Sequence, residues 1–190
     1  MPQAKVLTST ELRRVLDYVA TRPHAARNRA MILCSHFAGM RVKEIAALRY
    51  CDVVNLDGTI KDEIFLSAEQ TKGKHARTVY VSSKLQKELK AYVTAVPPRN
   101  REQPLFQPQK RKTKGFSSNT ACQFFHCLYK SVGIEGASSH SGRRGWLTAM
   151  ADKGTSIHIL KTLAGHQSIA TTSVYLFSNP SQLKAAVELV

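Results

Sequence analysis

The chain has 190 residues, and 43% of them are hydrophobic, which is enough for one domain to bury a sizeable core. Lys and Arg total 28 against 13 Asp and Glu, giving a formal net charge of +15 and a pI of about 10.0. Such a surplus indicates a polyanionic partner, most often nucleic acid, with an anionic membrane surface or a ribosomal neighbour as the alternatives.

Several classes of site and location are disfavoured by the sequence. No segment approaches the ~18 apolar residues of a membrane span, and the first ten residues lack the apolar core of a signal peptide. We therefore expect a cytoplasmic protein without membrane contact. The seven histidines and the four cysteines (Cys34, Cys51, Cys122 and Cys127) show no metal-ligand spacing. We predict reduced cysteines, no metal and no cofactor.

The predicted elements begin with three helices. Thr8 and Glu11 have the spacing of a capping box, and apolar residues at helical spacing follow them. A second helix is predicted over 24–37, ending at Gly39. A third, short helix covers 42–48.

The residue pattern then changes from one typical of helices to one typical of strands. β-branched and aromatic residues predict strands over 60–66 and 78–81, joined by a polar hairpin turn at 70–77. A helix over 83–96 follows, and the Pro-, Gln- and Lys/Arg-rich segment 97–115 is predicted to be a long exposed loop.

The remainder is predicted to be helical, over 118–131, 141–153, 155–163, 169–177 and 180–190. The fold class is therefore α+β, mainly α-helical, with one small antiparallel sheet. Without a clean linker, residues 1–190 are expected to form a single domain.

Candidate chemistry begins with Arg41 and Glu44 at the start of the third helix. Their spacing puts the carboxylate on the same side of the helix as the guanidinium. The carboxylate can therefore orient the guanidinium towards a cleft. An ordinary surface ion pair is the alternative. Lys72 lies at the hairpin tip, where lysines are common.

The second half of the chain holds two more candidate places. His140 and Arg143 are three apart at a helix start, so both can face one anion. His166 lies at a turn between two helices, and Tyr175 is expected near the end of the second one. A lone tyrosine at such a place usually packs in a core.

Taken together, these residue types suit metal-free phosphoryl transfer. A tyrosine hydroxyl can attack a phosphodiester and form a covalent intermediate. Arginines can neutralise the charge that develops on the non-bridging oxygens. A lysine or histidine can protonate the leaving 5′ oxygen, while another histidine handles the tyrosine proton.

The order Arg, Lys, H-x-x-R, G-H, Tyr resembles that of the tyrosine recombinases, or phage integrase family, from about Thr8 to Val187. The stretch L-A-G-H-Q-S-I-A-T-T-S-V-Y is its most specific part. The resemblance implies that DNA strands are cut and rejoined through a covalent 3′-phosphotyrosine link. It implies the catalytic set Arg41, Lys72, His140, Arg143, His166 and Tyr175.

Within that set, the resemblance makes Tyr175 the nucleophile, Lys72 the general acid and Glu44 the support of the first arginine. Lys74 is the rival acid, since a two-residue slip would place it on the same strand face. Gly142 stands where an apolar residue is common, which predicts a local change in packing.

The partner expected from the resemblance is double-stranded DNA, bound by a tetramer that assembles from monomers in solution, close to the nucleoid. The helix at 180–190 would dock on a neighbour or pack on its own domain. The family's usual N-terminal DNA-clamping domain is expected to be missing, which would make the chain a short member or one that uses an accessory protein. Predicted DNA contacts are Lys74, Arg77, Lys110, Arg111, Lys112, Lys114 and Arg144.

Two alternatives stay open. A type IB topoisomerase-like enzyme would use nearly the same residues to nick and reclose DNA without exchanging partners. A non-catalytic DNA-binding regulator could share the fold, although binding alone does not need Tyr175.

Overall fold

Helices dominate the computed structural model, which describes residues 3–71, 73–109, 114–176 and 187–188. The elements in these ranges are α1 Ser9–Ala20, α2 Ala25–Ala38, α3 Val42–Ala47, α4 Tyr50–Val53, β1 Glu63–Leu66, β2 Arg77–Tyr80, α5 Ser83–Ala95, α6 Ser118–Ser131, α7 Ser141–Asp152, α8 Ile157–Ala164 and α9 Ile169–Ser173. The predicted α+β, mainly helical class is confirmed. Most of the predicted helix at 180–190 lies outside the described residues, and Val187 is exposed.

Local signals in the sequence account for most helix ends. Thr8 and Glu11 form the predicted capping box at the start of α1. Ser82, Ser117 and Ser156 each accept a backbone N–H at the start of a later helix. Among the helices described, none is long and apolar enough to cross a membrane.

The core is built around α2, which packs against α1, α5 and α7. Its Met31, Ile32 and Leu33 are fully buried. The antiparallel pair β1 and β2 sets Ile64 opposite Val79, and both face this core. A smaller apolar cluster lies apart from it, between α7 and α8. The chain therefore has a large scaffold core and a small satellite core.

Three predictions for the fold need correction. The segment 97–115 is not wholly exposed: Leu105 and Phe106 are buried, and Phe106 stacks on Tyr92 with ring centroids 5.3 Å apart. The short helix α4 was not predicted. Helix α9 ends at Ser173, four residues earlier than expected, because Thr171, Thr172 and Val174 are β-branched and propagate a helix poorly.

Candidate active site

Arg41 and Glu44 form the first part of the site. Arg41 is the residue that precedes α3, and its backbone N–H donates to Glu44 Oε2 at 2.7 Å. Its guanidinium Nη1 donates to Glu44 Oε1 at 3.0 Å. The Glu44 side chain is fully buried. The pairing expected from the sequence is therefore present, but as a buried pair and not as a surface one.

Arg77, the first residue of β2, holds the same carboxylate from the other side. Its Nε donates to Glu44 Oε1 at 3.0 Å and its Nη2 donates to Oε2 at 2.7 Å. The Arg77 side chain is only 7% exposed. Burial alone would raise the pKa of Glu44, but the bonds and charges of Arg77 and Arg41 lower it overall. The structure thus places Arg77 inside the site, not at the surface where a phosphate contact was expected.

Three arginines converge on the last turn of α8 and donate hydrogen bonds to three consecutive backbone carbonyls. Arg77 Nη1 donates to Leu163 O at 2.8 Å, Arg143 Nη2 to Ala164 O at 2.6 Å, and Arg41 Nη2 to Gly165 O at 3.3 Å. Carbonyls at a helix C-terminus lack intrahelical partners and carry the negative end of the dipole. This turn therefore stabilises three like charges that would otherwise repel one another.

Gly165 is the residue that ends α8, and it is required at that position for two reasons. Its φ of 61° lies in the left-handed region. In addition, a Cβ at Gly165 would lie 2.7 Å from Arg77 Cδ. A side chain here would therefore push Arg77 away from Glu44 and from the carbonyls.

Arg143 is the most deeply buried of the predicted catalytic residues that the structure describes, with 5% exposure. Its Nη1 donates to Gly39 O at 2.6 Å. Burial lowers the pKa of Arg143 to about 9, with Arg41 and Arg77 adding to the effect, so it stays protonated at neutral pH. At the neighbouring Gly142, a Cβ would lie 2.5 Å from Ser35 Oγ on α2, so this position has no room for a side chain.

His166 follows directly after the α8 turn and is held at both ring nitrogens. Nε2 lies 3.0 Å from Arg143 Nη2, and Nδ1 lies 2.9 Å from Thr172 Oγ1. A guanidinium can only donate, so Nε2 is the acceptor and the proton is on Nδ1. Burial lowers the pKa of His166 to about 4, and the charges of Arg143, Arg41 and Arg77 act in the same direction. The imidazole is therefore neutral at pH 7.

Tyr175 lies two residues beyond α9 and stacks on His166, with ring centroids 6.1 Å apart and planes at 18°. It also packs against the satellite core. Tyr175 lines a cleft of about 180 Å³ together with His140, Arg143 and Arg144. His140 is exposed at the start of α7. Five of the six predicted catalytic residues are thus connected through contacts or shared clefts.

The electrostatics of this group favour an anion. The cluster holds three guanidiniums but only the one carboxylate of Glu44, and His166 is neutral. The surplus of two positive charges is partly offset by the helix end. A second cleft, of about 330 Å³, opens beside Arg41 and His166 and is bordered by the hairpin loop. The arrangement can bind a phosphate and stabilise additional negative charge on it.

The remaining predicted site residues divide into two groups. Lys72, Lys110, Arg111 and Lys112 lie outside the described residues. Lys74 and Lys114 are exposed, and Lys74 has a left-handed φ of 57°. Thr172 was missed from the sequence: it is fully buried and holds the ring of His166. Its six-residue spacing from His166 gave no local signal.

Comparison with known proteins assigns the family. The model of the Phage integrase family matches residues 5–182. The chain belongs to this family. Among curated relatives, the tyrosine recombinase XerA of Pyrococcus furiosus is 29% identical over 186 residues, covering 97% of this chain and 61% of the relative. The tyrosine recombinase XerD of Oceanobacillus iheyensis is 25% identical, covering 94% and 59%. The chain thus spans about 60% of the length of these relatives.

Solved structures agree on the fold. The crystal structure of XerA recombinase aligns with a TM-score of 0.74 at 24% identity, covering 100% of this chain and 65% of that one. The XerH site-specific recombinase bound to its difH substrate aligns with a TM-score of 0.67 at 23% identity, covering 96% and 53%. The predicted tyrosine recombinase catalytic fold is confirmed.

Proposed function

We propose that residues 1–190 form the catalytic domain of a site-specific recombinase, which cleaves and rejoins DNA through a 3′-phosphotyrosine at Tyr175. The observation that carries this proposal is the cluster of three arginines around a neutral His166 on which Tyr175 stacks. The cluster has the charge to bind a phosphodiester, and the tyrosine can supply the nucleophile.

In the proposed cleavage step, the Tyr175 hydroxyl oxygen attacks the scissile phosphorus. The bond from phosphorus to the 5′ oxygen breaks, and this oxygen leaves with the electron pair and takes a proton from Lys72. Arg41 and Arg143 stabilise the charge on the non-bridging oxygens, and His166 orients Arg143 by accepting from its Nη2. His140, which lines the same cleft as Tyr175, accepts the tyrosine proton. Reversal by a 5′ hydroxyl of another strand rejoins the DNA.

Double-stranded DNA is the proposed partner. The net charge of +15 favours a polyanion. Structural neighbours include the XerH recombinase bound to difH and the Tn1549 transposon integrase in complex with transposon right end DNA. Lys74, Lys114 and Arg144 are proposed phosphate contacts, together with Lys110, Arg111 and Lys112. Assembly as a tetramer on DNA from monomers in solution, with or without an accessory protein, is part of this proposal.

Covalent trapping tests the nucleophile. A nicked suicide substrate carrying the flanking DNA site should yield a protein–DNA adduct that survives denaturing electrophoresis. Tyr175→Phe removes only one hydroxyl, so adduct formation should be abolished while DNA affinity stays within about twofold of the unaltered chain. Tyr80→Phe is the matched control, because it removes the same hydroxyl from a side chain that is 54% exposed on β2.

Three results would contradict the proposal. An adduct that persists in Tyr175→Phe moves the nucleophile elsewhere. DNA binding without any adduct in the unaltered chain favours a regulator. Relaxation of supercoiled DNA without exchange of ends between two labelled duplexes favours a topoisomerase-like enzyme.

A further inference from the structure

The loop between β1 and β2 carries both candidate general acids, Lys72 and Lys74, and residues at both of its ends form hydrogen bonds. At the first root, Thr71 is 2% exposed. Its Oγ1 lies 2.7 Å from His75 O and 3.1 Å from Ala68 O. The contact with His75 joins the residue before Lys72 to the residue after Lys74. The backbone on both sides of the two lysines is therefore fixed by one buried hydroxyl.

A lysine on α3 holds the same root from outside the hairpin. Lys43 Nζ donates to Thr71 O at 2.7 Å. Lys43 lies between Arg41 and Glu44 in the sequence, so the element that presents the first arginine also grips the loop. Thr71 is therefore hydrogen-bonded at both its hydroxyl and its carbonyl.

The second root is tied to α3 as well. Arg77 begins β2 only two residues beyond His75, and it forms the bidentate pair with the buried Glu44. Thus α3 holds the hairpin loop at both ends, through Lys43 and through Glu44. It also presents Arg41, whose guanidinium lies against the α8 turn.

We infer that Thr71 and Lys43 are positioning residues for the general acid, acting by holding the loop that carries it against the phosphate site. This rests on the proposed function. A general acid contributes only when its proton lies within hydrogen-bonding reach of the leaving oxygen. Lysine is a long and flexible side chain, so its reach is set by the backbone that carries it. Releasing the loop should therefore slow proton transfer and leave phosphate binding intact.

The chemistry supplies a readout that separates positioning from general damage. With oxygen at the 5′ bridging position, the leaving group needs a proton as the phosphorus–oxygen bond breaks. With sulfur there, the leaving group departs as a thiolate, which is a much weaker base and needs no proton. A defect in the acid or in its positioning is therefore rescued by the 5′-bridging phosphorothiolate. A defect in the arginines or in the fold is not.

The experiment compares single-turnover cleavage of oxygen- and sulfur-bridged suicide substrates by Thr71→Val and Lys43→Met. Each should lose about 10–100-fold on the oxygen substrate, part of the 10²–10⁴-fold typical of general acid catalysis. Each should approach the unaltered rate on the sulfur substrate, with DNA affinity unchanged. Thr71→Ser keeps the hydroxyl and should cleave both substrates normally.

Lys61→Met is the matched control. Lys61 also donates from Nζ to a backbone carbonyl, that of Cys51, at 2.7 Å, but it precedes β1 and lies outside the loop between the strands. It should cleave both substrates at the unaltered rate. If Lys61→Met loses activity to the same extent, the loss reflects general stability and the inference is overturned.

Lys72→Ala and Lys74→Ala, measured alongside, separate the location of the general acid from the positioning role of Thr71 and Lys43. Rescue of one of them by sulfur places the acid in the loop; equal losses by Thr71→Val and Lys43→Met on both substrates would then overturn the positioning role. Rescue of neither lysine variant, with normal adduct formation by the unaltered chain, overturns the inference by removing the acid from the loop. No adduct from the unaltered chain on either substrate is instead a failure of the proposed function.

Discussion

Two bidentate arginine–glutamate pairs in this molecule have similar bonds and very different surroundings. Arg77 and Glu44 are 7% and 0% exposed, whereas Arg29 and Glu88 are 42% and 23% exposed. The surface pair joins α2 to α5, and water can hydrogen-bond to either side chain if the other is removed. The buried Glu44 is shared by two arginines next to a third, and water cannot replace it. The same contact is therefore a minor surface feature in one place and an essential counter-charge in the other.

Removing each carboxylate in turn should give the largest difference in stability between the two pairs. Glu44→Gln leaves Arg41 and Arg77 without their counter-charge beside Arg143, and we expect a loss of about 3–5 kcal/mol in the free energy of unfolding. Glu88→Gln should lose about 0.2–1 kcal/mol. Urea denaturation followed by circular dichroism measures both. Equal losses would mean that Glu44 does not balance the arginine cluster.

Replacing the arginines should have a smaller effect. Arg77→Lys keeps the charge but loses the fork that bonds both Glu44 oxygens and Leu163 O. We expect a loss of about 1–3 kcal/mol in unfolding free energy, because buried acceptors are left unsatisfied. Arg29→Lys should change it by less than about 0.5 kcal/mol. A loss in Arg77→Lys no larger than that in Arg29→Lys would contradict the structural account of Arg77.

Lowering the pH should have the smallest of these effects on the stability of the fold. The pKa values of Glu44 and Glu88 are both lowered in the folded chain, Glu44 against the raising effect of burial and Glu88 mainly by its bond with Arg29. Each pair therefore stabilises the fold above the unfolded pKa of about 4.3, and this is lost as pH falls through the folded value. The loss of stability below pH 4.3 should persist in Glu88→Gln and shrink in Glu44→Gln. Denaturation midpoints measured between about pH 3 and pH 5 test this prediction. A loss of stability that shrinks only in Glu88→Gln would mean that Glu88, and not Glu44, is responsible for it.

Histidine titration occupies a higher window, which overlaps the upper part of this pH range. His36 and His166 both have a pKa lowered to about 4, chiefly by burial. Their neutral folded forms therefore contribute stability above the unfolded pKa of about 6.5, and this contribution falls as pH drops from there towards 4. The carboxylate comparison is read most cleanly below this window.

Much of the site could be predicted from sequence because its residues form short local patterns. The three-residue spacing of Arg41 and Glu44, and that of His140 and Arg143, place each pair on adjacent helical positions. Arg77 could not be assigned in this way. Its partners Glu44 and Leu163 are 33 and 86 residues away, and a basic residue at a strand end ordinarily faces water. Only the fold reveals that it is internal.

The fold was predictable for similar reasons, and it failed where non-local packing decides. Serine and glycine signals defined most helix ends within a residue or two. The composition of segment 97–115 indicated an exposed loop, but its apolar pair Leu105 and Phe106 inserts into the core beside Tyr92. That adjacent pair was the one local signal against the loop interpretation.

The three consecutive carbonyls at the end of α8 make the site sensitive to the length of the chain as well as to its side chains. An α-helix rotates by about 100° per residue, so one residue inserted within α8 would turn Leu163, Ala164 and Gly165 together. All three guanidiniums would lose their acceptors at once, and His166 would be carried out of reach of Arg143. Substitutions here can be graded in severity, but insertions and deletions are all-or-none. Variation in length among functional variants of this chain should therefore be confined to its surface loops, with the α8 turn kept in fixed register.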